Sequence, residues 1–590
     1  MIPLSCCEVR GEKAMDDSAS AENKVIWTRG YSDDYWNDPV SPLFFELLGD
    51  QLTQIVNVEL NGIMGYSSQG DGKTDKLLRL YHGHAYFNLE VLKRKVEYEI
   101  PPFVRNDDIL NYFMEGSGPY GKQTMKKQPF KLSKRVMAEI RVTLYDGEGS
   151  ITKTNSAYEK WNREKFDPFC QSFDSRISKI NLEGDQSALL ELARELDRLM
   201  IGHFRLVRYG IPVHNIGMNL IAQYLLGRFV GAEAAEIYPV LISGLEHKTS
   251  EMNDRILRLA SVIQSSTSAK SLILDTPSGQ IYQLLKADDN PQLKEFKREL
   301  ELFMRDFGVR GFTREPYYPR WNEAPEYVFD ILKSLVQDEP PVKKEQKIEQ
   351  KLQTSKIERR IKRRLLGWFE WQLLSIILGY ARKYIIFREN QRFNLDRWIT
   401  MNRRIYMDIG RNLQKQRVLE EASDVFFLTK NEVRSVVAGN RTHEDRVRTL
   451  QAVSRRKAEF LKYENVTPAK FLQGSRELFE PEKNTALVLH GIPASQGRLT
   501  GTIRVLNRIE DIGDVQTGEI LVVPRTDPGW TPVFSKIGGL ITETGGILSH
   551  GAVVSREYGI PAVTNIQNAC QLLCNGQKVT IDGSKGIICT

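Results

Sequence analysis

Apolar residues recur at helical spacing through the middle of the chain. Within residues 186–209, Leu189, Ala193, Leu196 and Met200 fall on one face of a helix. The same periodicity returns in four further segments, at residues 219–229, 251–265, 293–307 and 327–337. The middle of the chain is therefore predicted to be mainly α-helical.

The C-terminal part changes to short apolar runs separated by turn residues. These runs predict strands at residues 501–506, 519–524, 539–542, 563–565 and 578–582. Because a short helix is predicted between the third and fourth runs, they indicate a small α/β domain. The predicted fold class is thus multidomain, with a mainly α-helical domain followed by a small α/β domain.

Composition shifts along the chain predict the domain boundaries. Residues 1–24 are polar and patternless, which predicts a disordered extension. Residues 25–470 form the predicted helical domain, and residues 487–590 form the small domain. The polar passage between them, residues 471–486, is predicted to be a linker.

Composition also limits the possible partners. The 590 residues are 41% hydrophobic and 27% charged, as in soluble globular proteins. The net charge of +7 is small and its basic residues are mixed with acidic ones, so no nucleic-acid partner is predicted. The most apolar run, residues 365–381, contains Glu370 and Gln372 and is interpreted as a buried helix, so no membrane partner is predicted.

The cysteines and the paired histidines do not predict a metal site. The six cysteines lack metal-ligand spacing and fit a reducing cytoplasm. His82 and His84 could ligate a metal from a strand, but no acidic or cysteine partner follows nearby. We therefore expect no metal bound directly by this chain.

Candidate chemistry concentrates in residues 542–564. His550 follows a predicted strand and a glycine pair and opens a short helix. Unpaired amides at a helix start favour an anion, and a neutral imidazole can act as a nucleophile and become phosphorylated. Gly545, Gly546 and Gly551 would let a phosphate approach the backbone. The alternative is a histidine that only packs beside a turn.

Two further segments carry charged and aromatic side chains. Residues 307–325 are rich in Gly, Pro and Arg between predicted helices, which is typical of a functional loop. Arg388 and Arg392 are four positions apart, so one helix face could clamp a phosphoryl group or form surface salt bridges. Near the N terminus, Tyr35 and Trp36 could form either a packed lid or a wall of an acceptor pocket.

These segments resemble the phosphoenolpyruvate-utilising enzymes, and in particular the rifampin phosphotransferase-like family. The match in the last domain rests on Thr542, Gly545, Gly546, His550, Ala552, Ser555, Arg556, Glu557, Gly559, Ile560 and Pro561. The match in the helical domain rests on Arg310, Gly311, Glu315, Pro319, Arg320, Trp321 and the Arg388-Glu389 pair. The chain departs from the family in having Val309 in place of His and Arg392 in place of Lys.

The resemblance implies that the small domain swivels and that His550 carries a phosphoryl group. Gly545, Gly546, Ser549 and Gly551 would then bind the phosphate at the helix start. The arginine side chains Arg310, Arg388 and Arg392 would neutralise it during transfer. Pyruvate-handling relatives carry Cys before the histidine, so Ser549 argues against pyruvate as the acceptor.

The resemblance also implies a partner and an acceptor. No ATP-grasp domain or P-loop is recognisable, so a separate ATP-grasp subunit would supply the phosphoryl group from ATP and Mg²⁺. Such a split arrangement is similar to phenylphosphate synthase. The small-molecule acceptor would present a hydroxyl, and its predicted contacts are Tyr35, Trp36, Glu315, Tyr317, Arg320 and Trp321.

Two other functions stay open at the level of sequence. The missing ATP-grasp domain and Val309 would also suit a non-catalytic binding or regulatory module. A phosphoenolpyruvate synthase-like component is the other alternative. The complete histidine segment favours the phosphotransferase.

Overall fold

A computed structural model gives the fold of the chain. It describes residues 25–29, 32, 36, 39–55, 77–102, 105, 126–180, 186–337, 346–439, 442–464, 466, 468–478, 488–507, 509–526, 528–546, 549–566 and 568–590. The predicted extension at residues 1–24 and the candidate residue Tyr35 lie outside these ranges.

The helical domain contains helices of very different lengths. Those before the middle of the chain are α1 (Pro42–Thr53), α2 (Leu89–Glu99), α3 (Leu132–Tyr145), α4 (Thr154–Trp161), α5 (Asp167–Lys179), α6 (Gln186–Tyr209), α7 (Ile216–Val230), α8 (Ala234–Leu241) and α9 (Lys248–Ser265). Those that follow are α10 (Thr267–Asp275), α11 (Ser278–Ala287), α12 (Lys294–Phe307), α13 (Glu326–Gln337), α14 (Gln346–Lys362), α15 (Gly367–Lys415), α16 (Lys430–Val437) and α17 (His443–Lys462). The prediction of a mainly helical domain is confirmed.

Helix α15, with 49 residues, is the central element of this domain. It packs against α6, α7 and α9 and against a turn at Ala422–Phe427. From Tyr384 onward it passes through the protein interior, and most of its side chains are buried there, including charged ones. A helix buried on several faces can hold polar groups away from water, and this one carries two of the candidate arginines.

The N-terminal half of α15 corrects one sequence prediction. The run at residues 365–381 does form helix from Gly367 onward, but it is not fully buried. Leu366 is 63% exposed, and Trp368 and Phe369 are 57% and 68% exposed. The opposite face, with Trp371 and Leu374, belongs to a buried cluster with residues of α7, α8 and α14, so this part of α15 is covered on one face. No described helix is long and apolar enough to cross a membrane.

A five-stranded sheet joins the two ends of the helical domain. Its strands are β1 (Ile26–Thr28), β2 (Leu78–Tyr81), β3 (His84–Asn88), β4 (Phe471–Gln473) and β5 (Arg476–Leu478), in the order β2-β3-β1-β4-β5. Strands β4 and β5 occupy the start of the predicted linker, so that prediction was wrong for residues 471–478. The reason is that Phe471 and Leu472 are apolar and buried, and they pair with Thr28 and Trp27. The rest of the predicted linker lies outside the described residues.

The small domain is built on one eight-stranded sheet. Its strands are β6 (Val488–His490), β7 (Ile492–Ser495), β8 (Arg498–Val505), β9 (Ile520–Val523), β10 (Gly539–Thr542), β11 (Ala562–Thr564), β12 (Lys578–Asp582) and β13 (Ile587–Cys589). The order is β6-β13-β12-β8-β9-β10-β11-β7, with β8, β9, β10 and β11 parallel to one another. Helices α18 (His550–Tyr558) and α19 (Ala569–Leu572) complete the domain. The predicted small α/β fold is confirmed.

Alternation along β9 gives this sheet a core on each face. Leu521 and Val523 belong to the cluster that includes Ala552 of α18. Ile520 and Val522 belong to a second cluster on the other face of the sheet, which includes Ala569 of α19. Strand side chains point alternately to the two faces, so four consecutive apolar residues indicate a strand covered on both sides. Helix α18 connects the parallel strands β10 and β11, which places its first residue near the end of β10.

Candidate active site

The turn between β10 and α18 presents His550 at the start of the helix. Gly545 adopts a φ of 109°, in the region that favours glycine, and a Cβ there would lie 2.9 Å from the Ser549 side chain. Ser549 is the N-cap residue, and its Oγ accepts the Ala552 amide at 3.4 Å. His550 is the first residue of the helix, as predicted, and Gly559 ends it with a φ of 64°.

Two of the candidate phosphate-binding glycines, Gly546 and Gly551, have different structural roles. The Gly546 carbonyl accepts the Ser549 amide at 2.9 Å and so helps to close the turn. Gly551 lies against Thr526 and Leu540, where a Cβ would come within 2.6 Å of the Thr526 hydroxyl oxygen. Close packing of the helix on β10 therefore requires glycine at position 551, and the phosphate-binding role of Gly551 stays a prediction.

The His550 side chain is buried and makes one side-chain hydrogen bond. Only 4% of the residue is exposed, and its Nε2 lies 3.1 Å from the Thr531 hydroxyl oxygen. Phe534 meets the imidazole edge-on at 6.4 Å between ring centroids. Within the described part of the chain, Nδ1 has no hydrogen-bond partner. The imidazole is thus held in place with one nitrogen uncommitted.

Burial and nearby charges keep this imidazole neutral. Burial, the largest cause, and the positive charges of Arg392, Arg310 and Arg388 together lower the pKa of His550 to about 3, against the opposing effect of Glu389. A neutral imidazole always has a lone pair on one ring nitrogen. In the docked arrangement His550 therefore has the protonation state of a nucleophile at neutral pH.

The arginines that act on His550 come from the helical domain. Arg310 follows α12 in the loop, and Arg388 and Arg392 lie on α15; their exposures are 1%, 2% and 6%. The surface salt bridge considered for the last two is therefore excluded, because these side chains are not at the surface. The structure brings all three predicted arginines to the histidine.

Two buried carboxylates are paired with these guanidinium groups. Asp396 lies 3.2 Å from Arg310 and 3.5 Å from Arg314. Glu389 lies 3.9 Å from Arg392 and 4.0 Å from Arg388. Although burial alone would raise the pKa of Glu389, the two arginines lower it below its ordinary value. Buried charges of both signs fix each other's positions, and so the guanidinium groups are held in place before any phosphate arrives.

The predicted acceptor residues do not form one wall. Trp36 is fully buried and packs on Phe45 and Phe87, while Trp321 is 1% exposed and packs on Phe303 in a different core cluster. The sequence prediction was wrong on this point, because both indoles fill the hydrophobic core.

The other predicted acceptor residues stabilise the loop itself. Glu315 accepts the Ser41 hydroxyl at 2.6 Å and the Ser41 amide at 2.9 Å, and burial raises its pKa to about 7. Arg320 donates to the Thr313 carbonyl at 2.5 Å and to the Arg314 carbonyl at 3.0 Å. These bonds fix the loop at residues 307–325, which holds Arg310.

Tyr317 also packs inside the helical domain. Its ring meets Phe427 and Phe460 edge-on, at 5.2 and 5.5 Å between centroids. The Val309 carbonyl, at the position where the family has His, accepts the Thr400 hydroxyl at 2.8 Å. Both Tyr317 and Val309 therefore contact residues of the helical domain outside the loop.

Several residues at this site were missed in the sequence. Thr531 lies in a 3₁₀-helical segment, Pro528–Ser535, and no pattern marks it as a partner of His550. His247 was not among the candidate residues, but its Nε2 lies 2.5 Å from Glu557 of the small domain. The signal in the sequence is the start of α9, where His247 and Ser250 form a capping box.

The two domains meet through further contacts around the site. The Phe312 side chain packs against the small-domain core. Lys536 of the small domain donates to Ser334 of α13 at 3.1 Å, and both residues are buried. The His550 face of the small domain is therefore docked on the arginine-bearing face of the helical domain.

The described residues hold no group of three or more side chains suited to a metal. His82 lies in a turn, with Nδ1 3.0 Å from Glu459 and its ring stacked on Tyr463 at 4.6 Å. His84 is buried in β3 and meets Tyr463 edge-on. Both histidines therefore have structural partners.

Comparison with known proteins defines the class to which these domains are similar. Residues 515–586 match the PEP-utilising enzyme mobile domain, and residues 209–389 match the rifampicin phosphotransferase fourth domain. The first match contains His550, and the second contains Arg310 and Arg388. The resemblance predicted from the sequence is confirmed.

Particular relatives include two rifampicin phosphotransferases and one transferase with a different name. A rifampicin phosphotransferase of Bacillus subtilis is 30% identical over 58% of this chain and 39% of its own length. One from Bacillus cereus is 27% identical over 59% of this chain and 40% of its own length. The prodigiosin synthesizing transferase PigC of Serratia marcescens is 27% identical over 58% of this chain and 38% of its own length. In these comparisons the matched part of the chain spans about two fifths of each relative.

Proposed function

We propose that this chain is a phosphotransferase component in which His550 accepts a phosphoryl group and passes it to a hydroxyl group. The observation that carries the proposal is the neutral His550 at a helix start, acted on by the three buried arginines of the other domain. The relatives named as phosphotransferases support the same reaction class.

In the first half-reaction, the imidazole lone pair would attack a phosphoryl phosphorus of ATP. With attack on the β-phosphorus, a nitrogen–phosphorus bond forms and the α–β phosphoanhydride bond breaks, which would release AMP. Water would then cleave the β–γ phosphoanhydride bond and release inorganic phosphate, so that the β-phosphoryl group stays on His550. A separate ATP-grasp subunit would bind ATP and Mg²⁺, as the family resemblance implies. This chain would contribute the nucleophile and the helix start that favours an anion beside it.

In the second half-reaction, the acceptor oxygen would attack the phosphorus. The nitrogen–phosphorus bond breaks, its electron pair returns to the imidazole, and the hydroxyl proton leaves to solvent or a base. Arg310, Arg388 and Arg392 would stabilise the charge on the phosphoryl oxygens during transfer, since prearranged cations need no reorganisation at that stage.

The burial of His550 implies movement between the half-reactions. In the docked arrangement only 4% of the residue is exposed, so an ATP-bearing partner cannot reach the imidazole. The small domain would therefore leave the helical domain to be phosphorylated and return for transfer. Domain movements of this kind commonly separate the steps of a reaction.

For the acceptor we propose an organic hydroxyl compound that is largely apolar, bound by the helical domain. Support comes from the relatives, which include enzymes named for rifampicin and for prodigiosin. Ser549 in place of Cys disfavours pyruvate. The buried positions of Trp36 and Trp321 give no support to the acceptor wall predicted from the sequence.

A transfer assay tests the proposal. The chain is phosphorylated with ATP labelled in its β-phosphate and an ATP-grasp protein of the same organism, and the isolated phosphoprotein is divided among phenol, a rifamycin, pyruvate and water. The proposal predicts that an organic hydroxyl compound removes the label faster than water does. Loss of label to pyruvate alone would favour a phosphoenolpyruvate synthase-like component, and failure to incorporate label would favour the non-catalytic module.

A further inference from the structure

A short contact between a histidine and a carboxylate joins the two domains away from the reacting nitrogen. His247 Nε2 lies 2.5 Å from Glu557 Oε1, with the His247 side chain fully buried and that of Glu557 12% exposed. The two residues are 310 positions apart in the chain. A charge-assisted hydrogen bond excluded from water is among the stronger polar interactions in proteins.

The carboxylate and the reacting histidine share one helix. Glu557 follows His550 by seven positions in α18, which is about two helical turns, so both side chains project from the same face. That face is docked on the helical domain. A second attachment near the end of α18 fixes the direction of the helix, which the contacts at its first residue alone would not do.

The histidine is attached at the same time to the arginine-bearing helix. Lys248, the next residue, donates its amide to Asn390 at 2.9 Å, and Thr249 donates its hydroxyl to Glu389 at 3.2 Å. Glu389 is the carboxylate paired with Arg388 and Arg392. The first residues of α9 thus connect the end of α18 to the guanidinium groups that act on His550.

The tautomer of His247 with its hydrogen on Nε2 suits its contacts with Glu557 and with the Ser250 amide. Its Nδ1 accepts the Ser250 amide at 3.3 Å, so a hydrogen on Nε2 is available for Glu557. Burial tends to lower the pKa of His247, but Glu557 and Glu389 raise it above its ordinary value, against the charge of Arg310. The neutral imidazole with its hydrogen on Nε2 makes both hydrogen bonds, whereas the imidazolium keeps the ion pair with Glu557 but cannot accept the Ser250 amide.

We propose that His247 is a positioning residue which, through Glu557, holds α18 so that His550 faces Arg388 and Arg392. This inference rests on the proposed function for its purpose, because aligning His550 with the arginines matters only if a phosphoryl group passes between them. The contact forms when the small domain docks and breaks when it leaves.

Chemical accessibility of His550 tests this without any phosphoryl chemistry. Diethyl pyrocarbonate modifies neutral imidazoles, and mass spectrometry of the intact chain's peptides gives the rate at His550. Loss of the contact should increase the undocked population and raise this rate by about tenfold, the effect of losing one buried charged hydrogen bond.

The decisive variant is His247→Asn. Asparagine is a good N-cap residue, so it keeps the start of α9 while its shorter side chain loses Glu557. Glu557→Gln removes the negative charge of the partner of His247. Glu251→Gln is the matched control, because Glu251 pairs with Lys248 on the same turn with both side chains 42% exposed. We expect faster modification of His550 in the first two variants and no change in the control.

A double variant separates a contact from a general effect on folding. If the two residues act through each other, His247→Asn with Glu557→Gln should modify no faster than the more affected single variant. The proposal would be overturned if the rate increases of the two single variants multiplied in the double variant. An unchanged modification rate in His247→Asn would also overturn it. Phosphorylation of the unaltered chain is measured separately, so a protein without phosphohistidine but with the predicted accessibility would disprove the proposed function and leave the docking contact standing.

Discussion

At the scale of single residues, burial and charge determine the chemistry of His550. Its position at a helix start could be read from the glycines and from Ser549 before it. Its neutral state could not, because that depends on arginines that lie far away in the sequence and on the depth of burial. The three arginines were predicted from a family resemblance and from helical spacing, and the structure gives the physical reason for their effect.

Substitution of Arg388 should separate the two half-reactions. Arg388→Ala is expected to slow transfer from phosphorylated His550 to the acceptor by a factor of roughly 10² to 10³, as for other prearranged groups that stabilise developing charge. Phosphorylation of His550 should remain nearly normal, because it takes place in the undocked state. Single-turnover loss of label measures the transfer.

Arg404→Ala is the matched control for Arg388. Arg404 lies on the same helix, but its side chain is 41% exposed and pairs with Asp174 at the surface. We expect unchanged transfer in this variant. Normal transfer by Arg388→Ala would show that this arginine is only a buried ion-pair partner of Glu389.

The low pKa of His550 makes folding stability depend on pH. The pKa is about 3 in the folded chain and 6.5 in the reference state, so the unfolded chain binds more protons below pH 6.5. The stabilisation is present above pH 6.5 and is lost as the pH falls toward 3. Between pH 7 and 5 the loss should be about 2 kcal/mol.

Denaturant unfolding of the chain and of His550→Gln, at both pH values, measures this loss. The difference in unfolding free energy between the two proteins isolates His550 from His203 and His214, whose pKa values are also lowered by burial. Equal pH dependence in both proteins would contradict a buried, neutral His550.

At the scale of elements, periodicity was sufficient where one face of an element is buried. Helix α6 and strand β12 have the predicted bounds, since their apolar residues alternate with polar ones at the period of the element. The pattern failed where a short apolar strand follows a helix, as at Phe471 and Leu472. Their partners in β1 lie at the opposite end of the chain, and pairing at that distance leaves no local signal.

The aromatic residues near the candidate loops show a second limit. Sequence alone does not distinguish Trp36 and Trp321 from residues that line a ligand pocket, because an indole suits either a pocket or a core. Their burial is decided by neighbours such as Phe87 and Phe303, which belong to other elements. Sequence therefore identified the loop but not the direction of its side chains.

The π-helical segment between α6 and α7, Gly210–Asn215, should be sensitive to a single methyl group. A Cβ on Gly210 would collide with the Phe387 ring, next to Arg388, so Gly210→Ala should destabilise the protein by about 1–3 kcal/mol through overpacking. Gly227 lies within α7 with no atom within 4 Å of an added Cβ. Gly227→Ala should therefore stabilise the helix by about 0.5–1 kcal/mol.

Thermal unfolding of the two glycine variants gives the comparison. Opposite shifts in the midpoint are expected from the same chemical change. A stabilised Gly210→Ala protein would show that the Phe387 ring can move aside, and that α15 is less closely packed at the arginines than the structure indicates.

At the scale of the whole molecule, the described arrangement is the docked state. His550 faces the helical domain, and Phe312, His247 and Ser334 hold the small domain there. Sequence could indicate two domains, but the contact surface between them depends on single residues spread over the chain. Under the proposed function, the docked state would serve transfer to an acceptor, and phosphorylation would require the domains to separate.

A reversible crosslink between the domains should therefore prevent phosphorylation. Cysteines at Ser334 and Lys536, whose polar atoms are 3.1 Å apart, can be joined by a short bifunctional thiol reagent after the reactive native cysteines are replaced. Label incorporation into His550 should fall when the crosslink is present and recover on reduction. Each single-cysteine protein, treated in the same way, is the control, and full labelling of the crosslinked chain would contradict the need for movement.

Phosphohistidine formation at His550 tests the central claim most directly. The chain is incubated with an ATP-grasp protein of the same organism and ATP whose β-phosphate carries a stable isotope. Peptide mass spectrometry then locates the isotope in the chain. We predict an acid-labile, base-stable label on His550 that is absent in His550→Ala and present in His490→Ala, which removes an exposed histidine of the same domain. Label retained in His550→Ala would contradict the assignment of this residue as the phosphoryl carrier.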